Sequence, residues 1–502
     1  MGCLQSKPDA IDAQTLSSIT DASAYIAELQ ERGKGGAPVV LDKSDLAALA
    51  NVQSRLAHYK KRLYQPLTKD VFASLDAPTR QYLQQEFLAK TSAFSDVLTS
   101  SSDSRYSANG TAGGKPRKTS LDAFAMPELL LPDQESRRAA RERHTRRTSV
   151  LGNQGEVKKD VLRDTRVARC LHDWSFDVFT YADSLPSRPL AHTAIIALQE
   201  LNLVEVLDLE VDKLAAFLSV VEDGYQDNHY HNCTHAVDVV QATLFFLREG
   251  GCEKILSPVE LVAAIVAAAA HDYEHPGLSN AYQTAVESDL AVLYNDKSVL
   301  ENHHVAATYA LLKNPKLDFT SSFTPAQHKA FRTTYVEMIL ATDIALHFDL
   351  VKSFEGLLEG GVETDNEKHR ILVLKVVLHC ADLSNPARHA AVADRWSLAV
   401  MAEFFKQGDK ERGKGLPISP FMDRETSSIP KCQVGFIRFI VKPLFDLWVS
   451  FCPKAQPCLD NLERNLARWE GRQAEEGDKI KSLDDMRDIC FPGGGKGAGG
   501  RP

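Results

Sequence analysis

The longest regular hydrophobic pattern in the chain runs from about residue 161 to residue 490. Apolar residues there recur at steps of three and four, as in Leu214, Phe217, Leu218 and Val221. This period places apolar side chains on one face of an α-helix, whereas half-buried strands alternate at every second residue. Neither that alternation nor an Asn-Gly hairpin turn occurs in this stretch. The pattern therefore predicts one large all-α domain over residues 161–490.

Three further regions flank this domain and differ from it in composition. Residues 1–100 contain amphipathic stretches that predict short regulatory helices, which dock elsewhere or pair with each other. Residues 101–160 are rich in Ser, Gly, Lys and Arg and cannot bury enough apolar surface to offset the entropy of ordering. They are therefore predicted to be a flexible linker, so that the domain follows a partly disordered N-terminal region. Residues 491–502 are predicted to be a disordered glycine-rich tail.

Composition narrows the classes of partner and compartment. A formal net charge of −9 gives the chain no overall attraction to nucleic acid, so no nucleic-acid partner is expected. The nine cysteines are odd in number and no pair has CxxC spacing, which favours reduced thiols in a cytosolic setting. The longest apolar run, residues 261–270, is too short to span a bilayer, which takes roughly 20 residues.

The first residues nevertheless predict a membrane anchor. Gly2 follows Met1 and Ser6 stands at the favoured position of an N-myristoylation signal, while Cys3 could accept a palmitoyl group. One myristoyl chain binds a membrane only marginally, and a second acyl chain makes the attachment stable. We therefore expect the protein at the cytoplasmic side of a membrane, lipid-anchored at its N-terminus. The alternative is that Met-Gly is a chance start.

Two serines in the linker are candidate phosphorylation sites. Ser149 follows Arg146-Arg147-Thr148, and Ser120 follows Arg117-Lys118-Thr119, with an apolar residue after each serine. Both resemble the substrate sequence of cyclic-AMP-dependent protein kinase, which makes that kinase a candidate partner. A phosphate would add almost two negative charges among these basic residues. The alternative is that the basic runs are ordinary solvated charge.

Four short segments of the helical region concentrate histidine and acidic residues. In the first, His231 and His235 are four residues apart, which would place them on one helix face with Asp238 continuing it. By itself this spacing is weak evidence, because surface helices show it by chance. In the second, an alanine-rich helix would deliver His271, Asp272 and His275 just before Pro276 and Gly277 break it. The third and fourth are His379-Cys380-Ala381-Asp382 and Glu301-Asn302-His303-His304.

Burial of such groups requires compensation. Asp and His side chains at the end of a buried helix are costly unless they are hydrogen-bonded or bind a cation. The four residues His235, His271, Asp272 and Asp382 form a set of two imidazoles and two carboxylates, which suits zinc or another divalent ion. Two such ions bridged by one carboxylate and one hydroxide are a common arrangement for phosphoester hydrolysis. A hydrogen-bonded core network is the alternative.

These segments resemble, in order and spacing, the catalytic domain of the class I 3′,5′-cyclic nucleotide phosphodiesterases. The resemblance covers roughly residues 162–472 and rests on the segments YHNCTHAVDV, HDYEHPGLSN, LENHH, HCADLSNP and QVGFIRFIVKPL. It implies a compact multi-helix bundle with a deep, metal-containing pocket. It also implies hydrolysis of a cyclic purine nucleotide to the 5′-monophosphate, which would end cyclic nucleotide signalling at a membrane.

The resemblance also implies a role for each matching residue. His235, His271, Asp272 and Asp382 would hold a tightly bound zinc ion, and Asp272 would bridge to a second ion, magnesium or manganese. His231 would be the general acid that protonates the departing O3′, which suits an imidazole titrating near neutral pH. His275 would hydrogen-bond around the bridging hydroxide and would be oriented by Glu301.

The remaining assignments concern the nucleotide base. Gln433 would contact the purine through its amide, with Phe436 stacking on one side and Val400 on the other, while Tyr230 and Trp396 would line the pocket. Phe436, Trp396 and Val400 also fit ordinary core positions of amphipathic helices.

The choice between the two cyclic purine nucleotides rests on weaker evidence. An amide can rotate to suit adenine or guanine, so Gln433 alone does not choose. Asn385 stands where cyclic-AMP-selective members commonly have Asn, although some guanine-selective members share it, and residues 420–424 also resemble one of those. Ala393 is small where many relatives carry a bulkier side chain. Cyclic AMP is favoured.

Other readings stay open at the level of the sequence. The chain could be another metal phosphohydrolase that acts on non-cyclic nucleotides, or a lipid-anchored nucleotide sensor without activity. Whether residues 1–160 inhibit the pocket or form a homodimer is not determined by the sequence.

Overall fold

The structure is a computed structural model that describes residues 162–185 and 187–476, together with residues 80, 81 and 157. No strand occurs in these residues, and the prediction of an all-α domain is confirmed. Gly2, Cys3, Ser120, Ser149, the domain boundary at residue 490 and the tail lie outside the described residues.

The α-helices, numbered in chain order, are α1 Thr165–Cys170, α2 Val178–Ser184, α3 Pro189–Glu200, α4 Leu203–Val206, α5 Val211–Gly224, α6 Cys233–Glu249, α7 Pro258–Ala270, α8 Asn280–Ala285, α9 Asp289–Tyr294, α10 Val299–Leu311, α11 Pro325–Leu340, α12 His347–Gly360, α13 Glu367–Asp382, α14 Ala390–Gly413, α15 Ile429–Phe436, α16 Lys442–Phe451 and α17 Gln456–Glu476.

Shorter helical turns connect some of these helices. They are 3₁₀ turns at Cys252–Lys254, Ile344–Leu346, Asn385–Ala387 and Pro453–Ala455, and a π-helical turn at Ile437–Val441 between α15 and α16. Among the helices that the structure describes, none has the length and apolar character needed to cross a bilayer.

Local sequence signals explain where the central helix α7 begins. Ser257 accepts a hydrogen bond from the backbone N–H of Glu260, and the Glu260 carboxylate accepts one from the backbone N–H of Ser257. This capping box satisfies two N–H groups that a helix start leaves without partners, and Pro258 occupies the first position, where no N–H is needed. α11 begins in the same way at Thr324, Pro325 and Gln327.

The core lies around α7. Every residue from Val259 to Ala270 is buried, and the helix packs against α11, α6 and α3. Its alanines at positions 263, 264 and 267–270 add little bulk, so neighbouring helices approach closely. α6 also packs against α13, so the N-terminal end of α6 and the C-terminal ends of α7 and α13 can meet. The candidate metal ligands lie at these three ends.

Candidate metal centre and active site

The four predicted metal ligands meet at the ends of three helices. His235 is in the first turn of α6, His271 directly follows α7, and Asp382 is the last residue of α13. The Nε2 atom of His235 lies 3.3 Å from Nε2 of His271 and 3.1 Å from Oδ1 of Asp382. Oδ2 of Asp272 lies 3.1 Å from Nε2 of His271 and 3.6 Å from Nε2 of His235. One ligand atom from each residue is therefore close enough to the others for all four to surround a single cation.

The chemistry of these atoms fits a cation. Nδ1 of His271 donates to the carbonyl oxygen of Ala268 at 2.9 Å, which leaves Nε2 as the ring nitrogen that faces the cluster and can bind a cation in place of a proton. Burial opposes a positive charge on His271, yet Asp272 and Asp382 raise its pKa well above the ordinary value. The carboxylates thus attract positive charge strongly enough to overcome burial. Two imidazoles and two carboxylates at this spacing suit zinc or a similar divalent ion.

Two local predictions about the histidine segments are wrong. His231 does not share a helix face with His235, because Asn232 caps α6 and His231 lies before the cap in non-helical backbone. The Asn232 side chain accepts from the backbone N–H groups of Thr234 and His235, which fixes the start of the helix there. Likewise α7 ends at Ala270, so Asp272 and His275 lie in a turn after the helix rather than on it.

His231 is paired with a residue that the sequence did not single out. Its Nδ1 donates to Oε1 of Glu403, and Oε2 of Glu403 accepts from the backbone N–H groups of Tyr230 at 3.0 Å and His231 at 3.2 Å. Burial lowers the pKa of His231, but the negative charges of Glu403 and Asp272 outweigh it and raise that pKa to about 9. His231 is therefore protonated at neutral pH. The sequence does hold one sign of this partner. Glu403 lies three residues after Val400 and seven after Trp396, so it is a charged residue on the apolar face of α14.

His275 lies against His231 but is kept neutral. The two rings stack with centroids 3.8 Å apart, and Nδ1 of His275 accepts from the backbone N–H of Gly277 at 3.0 Å. Burial and the positive charge of His231 lower the pKa of His275 well below its ordinary value. The neutral ring therefore carries its proton on Nε2 and can donate from that atom.

Glu301, predicted to orient His275, is itself held by a neighbouring amide, and its effect on His275 stays a prediction. Both carboxylate oxygens of Glu301 accept from the side-chain amide of Asn280, at 3.1 and 2.9 Å. Burial, followed by the charge of Asp343, raises the pKa of Glu301 to about 8. The structure thus orients Glu301 through Asn280, which the sequence analysis had not assigned a role.

The predicted base-contacting residues form a second cluster beside the metal ligands. The hydroxyl of Tyr230 donates to Oδ1 of Asn385, whose Nδ2 donates to Oδ2 of Asp238 at 3.0 Å. Trp396 donates to the same Asp238 oxygen at 3.0 Å, packs edge-on against Tyr230 and is only 1% exposed. Arg388 pairs with Asp238 at 2.6 Å and both are fully buried. Asp238, which the sequence placed near the site without a role, therefore fixes the orientation of the Asn385 amide.

Gln433 and Phe436 lie one turn apart on α15, as predicted. Gln433 is buried, and its Oε1 accepts from the hydroxyl of Ser397 at 3.0 Å, while Phe436 is partly exposed. Val400, also partly exposed, is on α14 one turn after Ser397. Ala393 is buried in the same helix. The roles of these residues in base binding and the deep pocket remain predictions.

Known proteins share this arrangement of sequence and fold. Residues 230–462 match the family model described as 3′5′-cyclic nucleotide phosphodiesterase. The chain is 39% identical over 335 residues to 3′,5′-cyclic-AMP phosphodiesterase 4C of Rattus norvegicus, covering 65% of this chain and 61% of that protein. It is also 39% identical over 335 residues to the Mus musculus protein of the same name, covering 65% of this chain and 48% of that one. The chain thus spans less than two thirds of these curated relatives.

A solved structure is similar over nearly its whole length. The phosphodiesterase domain of the RhoPDE fusion protein from the choanoflagellate Salpingoeca rosetta is 33% identical, with a TM-score of 0.57. The match covers 61% of this chain and 96% of that domain.

Proposed function

Because the chain belongs to the 3′,5′-cyclic nucleotide phosphodiesterase family, we propose that it hydrolyses the cyclic phosphodiester of a purine nucleotide to the 5′-monophosphate. The observation that carries this proposal is the cluster of His235, His271, Asp272 and Asp382 beside His231, whose Nδ1 is paired with the buried carboxylate of Glu403. Cyclic AMP is the favoured substrate over cyclic GMP, because the curated relatives are named as cyclic-AMP phosphodiesterases.

The metal ligands divide between two ions in this proposal. His235, His271, Asp272 and Asp382 would hold zinc, and Asp272 would also face a second ion, magnesium or manganese. When bound, such ions supply a water activated for attack and positive charge for the phosphoryl oxygens.

The side chains of the protein handle the leaving group. Cleavage of the P–O3′ bond leaves an alkoxide oxygen, which needs a proton as the bond breaks. His231 would supply that proton, since the nearby charges of Glu403 and Asp272 raise its pKa and so favour its protonated form. Glu403 also holds the ring by accepting from Nδ1, so that Nε2 is the atom that donates to O3′. His275 is neutral and donates from Nε2, which suits a hydrogen bond to an oxygen of the substrate or to the attacking water.

The base would be recognised by two amides whose orientations are constrained. Asn385 gives its N–H to Asp238 and therefore presents Oδ1 toward Tyr230, where a second lone pair can accept from the amino group of adenine. Gln433 accepts from Ser397 and keeps its N–H₂ for the purine. An acceptor at Asn385 favours adenine, whose exocyclic group is a donor, over guanine, whose corresponding group is an acceptor.

The N-terminal region would attach this activity to a membrane and regulate it. Acylation of Gly2 and Cys3 would hold the protein at the cytoplasmic side of a membrane. Phosphorylation of Ser149 or Ser120 by cyclic-AMP-dependent protein kinase would add negative charge to the linker. A rise in cyclic AMP could then change, through that kinase, the rate at which cyclic AMP is hydrolysed. The catalytic domain would be residues 161–490. The regulatory helices of residues 1–100 and the linker of residues 101–160 would precede it, and they would either inhibit the pocket or form a homodimer.

Direct comparison of substrates tests the proposed activity. Purified protein is supplied with zinc and magnesium and assayed side by side with cyclic AMP, cyclic GMP, a deoxynucleoside triphosphate and a linear phosphomonoester. We expect release of 5′-AMP at the highest kcat/KM, and almost none with the Asp382→Ala variant. Metal-loaded protein that leaves both cyclic nucleotides intact would refute the proposal, whether it cleaves the linear substrates or cleaves nothing and only binds nucleotide.

A further inference from the structure

One face of α14 carries a row of polar residues that are all buried. Glu403, Gln407 and Glu411 are four residues apart and therefore lie one above the other. Their exposed fractions are 4%, 2% and 3%. A buried polar side chain is destabilising unless its hydrogen bonds are satisfied, so a row of three requires specific partners. Glu403 has His231; the partners of the other two lie on different segments.

Gln407 holds the turn that follows the metal ligands. Its Oε1 accepts from the backbone N–H of Ser279 at 2.8 Å, and its Nε2 donates to Oγ of Ser279 at 3.0 Å. Ser279 lies four residues after His275 and caps α8, and the next residue is Asn280, which donates to Glu301. The amide of Gln407 thus clamps the turn that carries one side of the candidate active site.

Glu411 holds a second segment, residues 414–428, which leads from α14 into the helix of Gln433. Its Oε2 accepts from the backbone N–H of Ser419 at 2.7 Å, and its Oε1 accepts from Oγ of Ser419 at 2.7 Å. The same Oε1 accepts from Nε2 of Gln407 at 2.9 Å. Hydrogen bonds to a carboxylate are stronger than those between neutral groups. A continuous chain of hydrogen bonds therefore joins Ser279 to Ser419 through Gln407 and Glu411.

Residues 414–428 pack closely against α14 near the hydrogen bonds between Glu411 and Ser419. A Cβ added to Gly408 would lie 1.9 Å from the carbonyl oxygen of Met422, so only glycine permits this approach. Phe421 is buried with φ of 64°, a left-handed conformation that is unfavourable for a non-glycine residue. Such a conformation persists where surrounding contacts hold it. Ser419, which donates to buried Glu411, lies two residues before Phe421.

We infer that Gln407 and Glu411 are positioning residues that couple the turn carrying Asp272 and His275 to the segment leading into Gln433 and Phe436. The inference rests on the proposed function for its effect on substrate, since those two ends would bind the phosphate and the base. Loss of the Glu411 carboxylate releases Ser419 directly and also frees one contact of Gln407. The effect therefore reaches the metal side of the site without any change to a residue there.

Amide hydrogen exchange without nucleotide tests the coupling. In Glu411→Ala we expect exchange in residues 414–428 to be about tenfold faster, and exchange in residues 276–283 to rise as well, because local opening becomes less costly. Glu411→Gln, which keeps one acceptor in the same place, should restore most of the protection. Glu425→Ala is the matched control: it removes a carboxylate from the same segment, but one whose side chain is 73% exposed.

Steady-state kinetics give the second readout. Glu411→Ala should raise KM for cyclic AMP about fivefold with kcat and bound zinc nearly unchanged, which is the pattern of substrate binding weakened equally in the ground state and the transition state. If Glu411→Ala does not fold, Ser419→Ala, which removes only a hydroxyl, gives the same exchange measurement in milder form. Exchange and KM equal to those of Glu425→Ala, or faster exchange confined to residues 414–428, would overturn the inference. Coupled exchange in a protein that cleaves no cyclic nucleotide would instead refute the proposed function and leave the coupling standing.

Discussion

Replacement of Glu403 by glutamine should lower the pKa of His231, the proposed general acid. Glu403 is 4% exposed and its Oε1 accepts from Nδ1 of His231, so the two charges interact in a poorly solvated space. Glutamine has nearly the same shape and still offers one oxygen to the backbone N–H groups of Tyr230 and His231, but it carries no charge. The variant therefore tests charge more than shape.

The magnitude follows from the pKa of His231. Loss of a neighbouring opposite charge lowers the pKa of a histidine by about 1 to 3 units. If the pKa falls from about 9 to the ordinary histidine value of about 6.5, the protonated fraction at pH 7.5 falls from about 97% to about 9%. Since only the protonated imidazole can donate to O3′, kcat/KM at pH 7.5 should fall about tenfold.

The assay is kcat/KM for cyclic AMP from pH 6 to pH 10, with zinc and magnesium held constant. A general acid is active below its pKa, so activity declines as pH rises through that value. The alkaline limb should therefore move to lower pH in Glu403→Gln, and the parent and variant should differ by only about 1.3-fold at pH 6. Bound cations would lower the pKa of His231 in both proteins, which makes the difference between them the informative quantity.

Two results would refute this reasoning. An alkaline limb at the same pH in parent and variant would mean that the Glu403 charge does not set the pKa of the acid. A loss of activity by the same factor at every pH would mean that Glu403 acts only by position. Glu425→Gln serves as the control, because it removes an exposed carboxylate, and metal content and thermal unfolding are measured for each variant.

Four further predictions follow from the same structure. Asp382→Ala should lose zinc, measured by elemental analysis, and nearly all turnover, because it removes one of four ligands; full activity would contradict the metal assignment. Gln433→Ala should raise KM for cyclic AMP by about 10- to 100-fold, the cost of one or two lost base contacts, with metal content unchanged, whereas an unchanged KM would show that this amide does not bind the base. Gly408→Ala should lower the free energy of unfolding by about 1–3 kcal/mol, because its Cβ would lie 1.9 Å from the Met422 carbonyl oxygen. Gly413→Ala is the control on the same helix and should leave the free energy of unfolding unchanged, because nothing lies within 4 Å of its Cβ. Equal denaturation midpoints for the two variants would contradict the close packing at Gly408. Gly2→Ala should move the full-length protein from the membrane to the soluble fraction of cells, and retention at the membrane would end the myristoylation proposal.

The sequence was most informative where a pattern depends on neighbours in the chain. The hydrophobic period, without strand alternation or an Asn-Gly turn, predicted an all-α domain, and the described residues contain no strand. The family resemblance, drawn from five short segments, is confirmed by the family model and by the solved domain. Local detail was less secure: Asn232 starts α6 after His231, and α7 ends before Pro276, because a cap or a turn ends a helix as effectively as proline does.

The partners of each side chain were decided only by the tertiary structure. The hydrophobic period tells which face of α14 is buried, but it does not tell what lies opposite. His231 meets Glu403 across 172 residues, and His235 meets Asp382 across 147. By itself the sequence determined the helical domain and the types of residue that could bind a metal, because both are written in short spacings. Which glutamate sets the pKa of the acid, and which buried amide holds which turn, depended on how distant helices pack, since a polar group can be buried only where another segment supplies its hydrogen bonds.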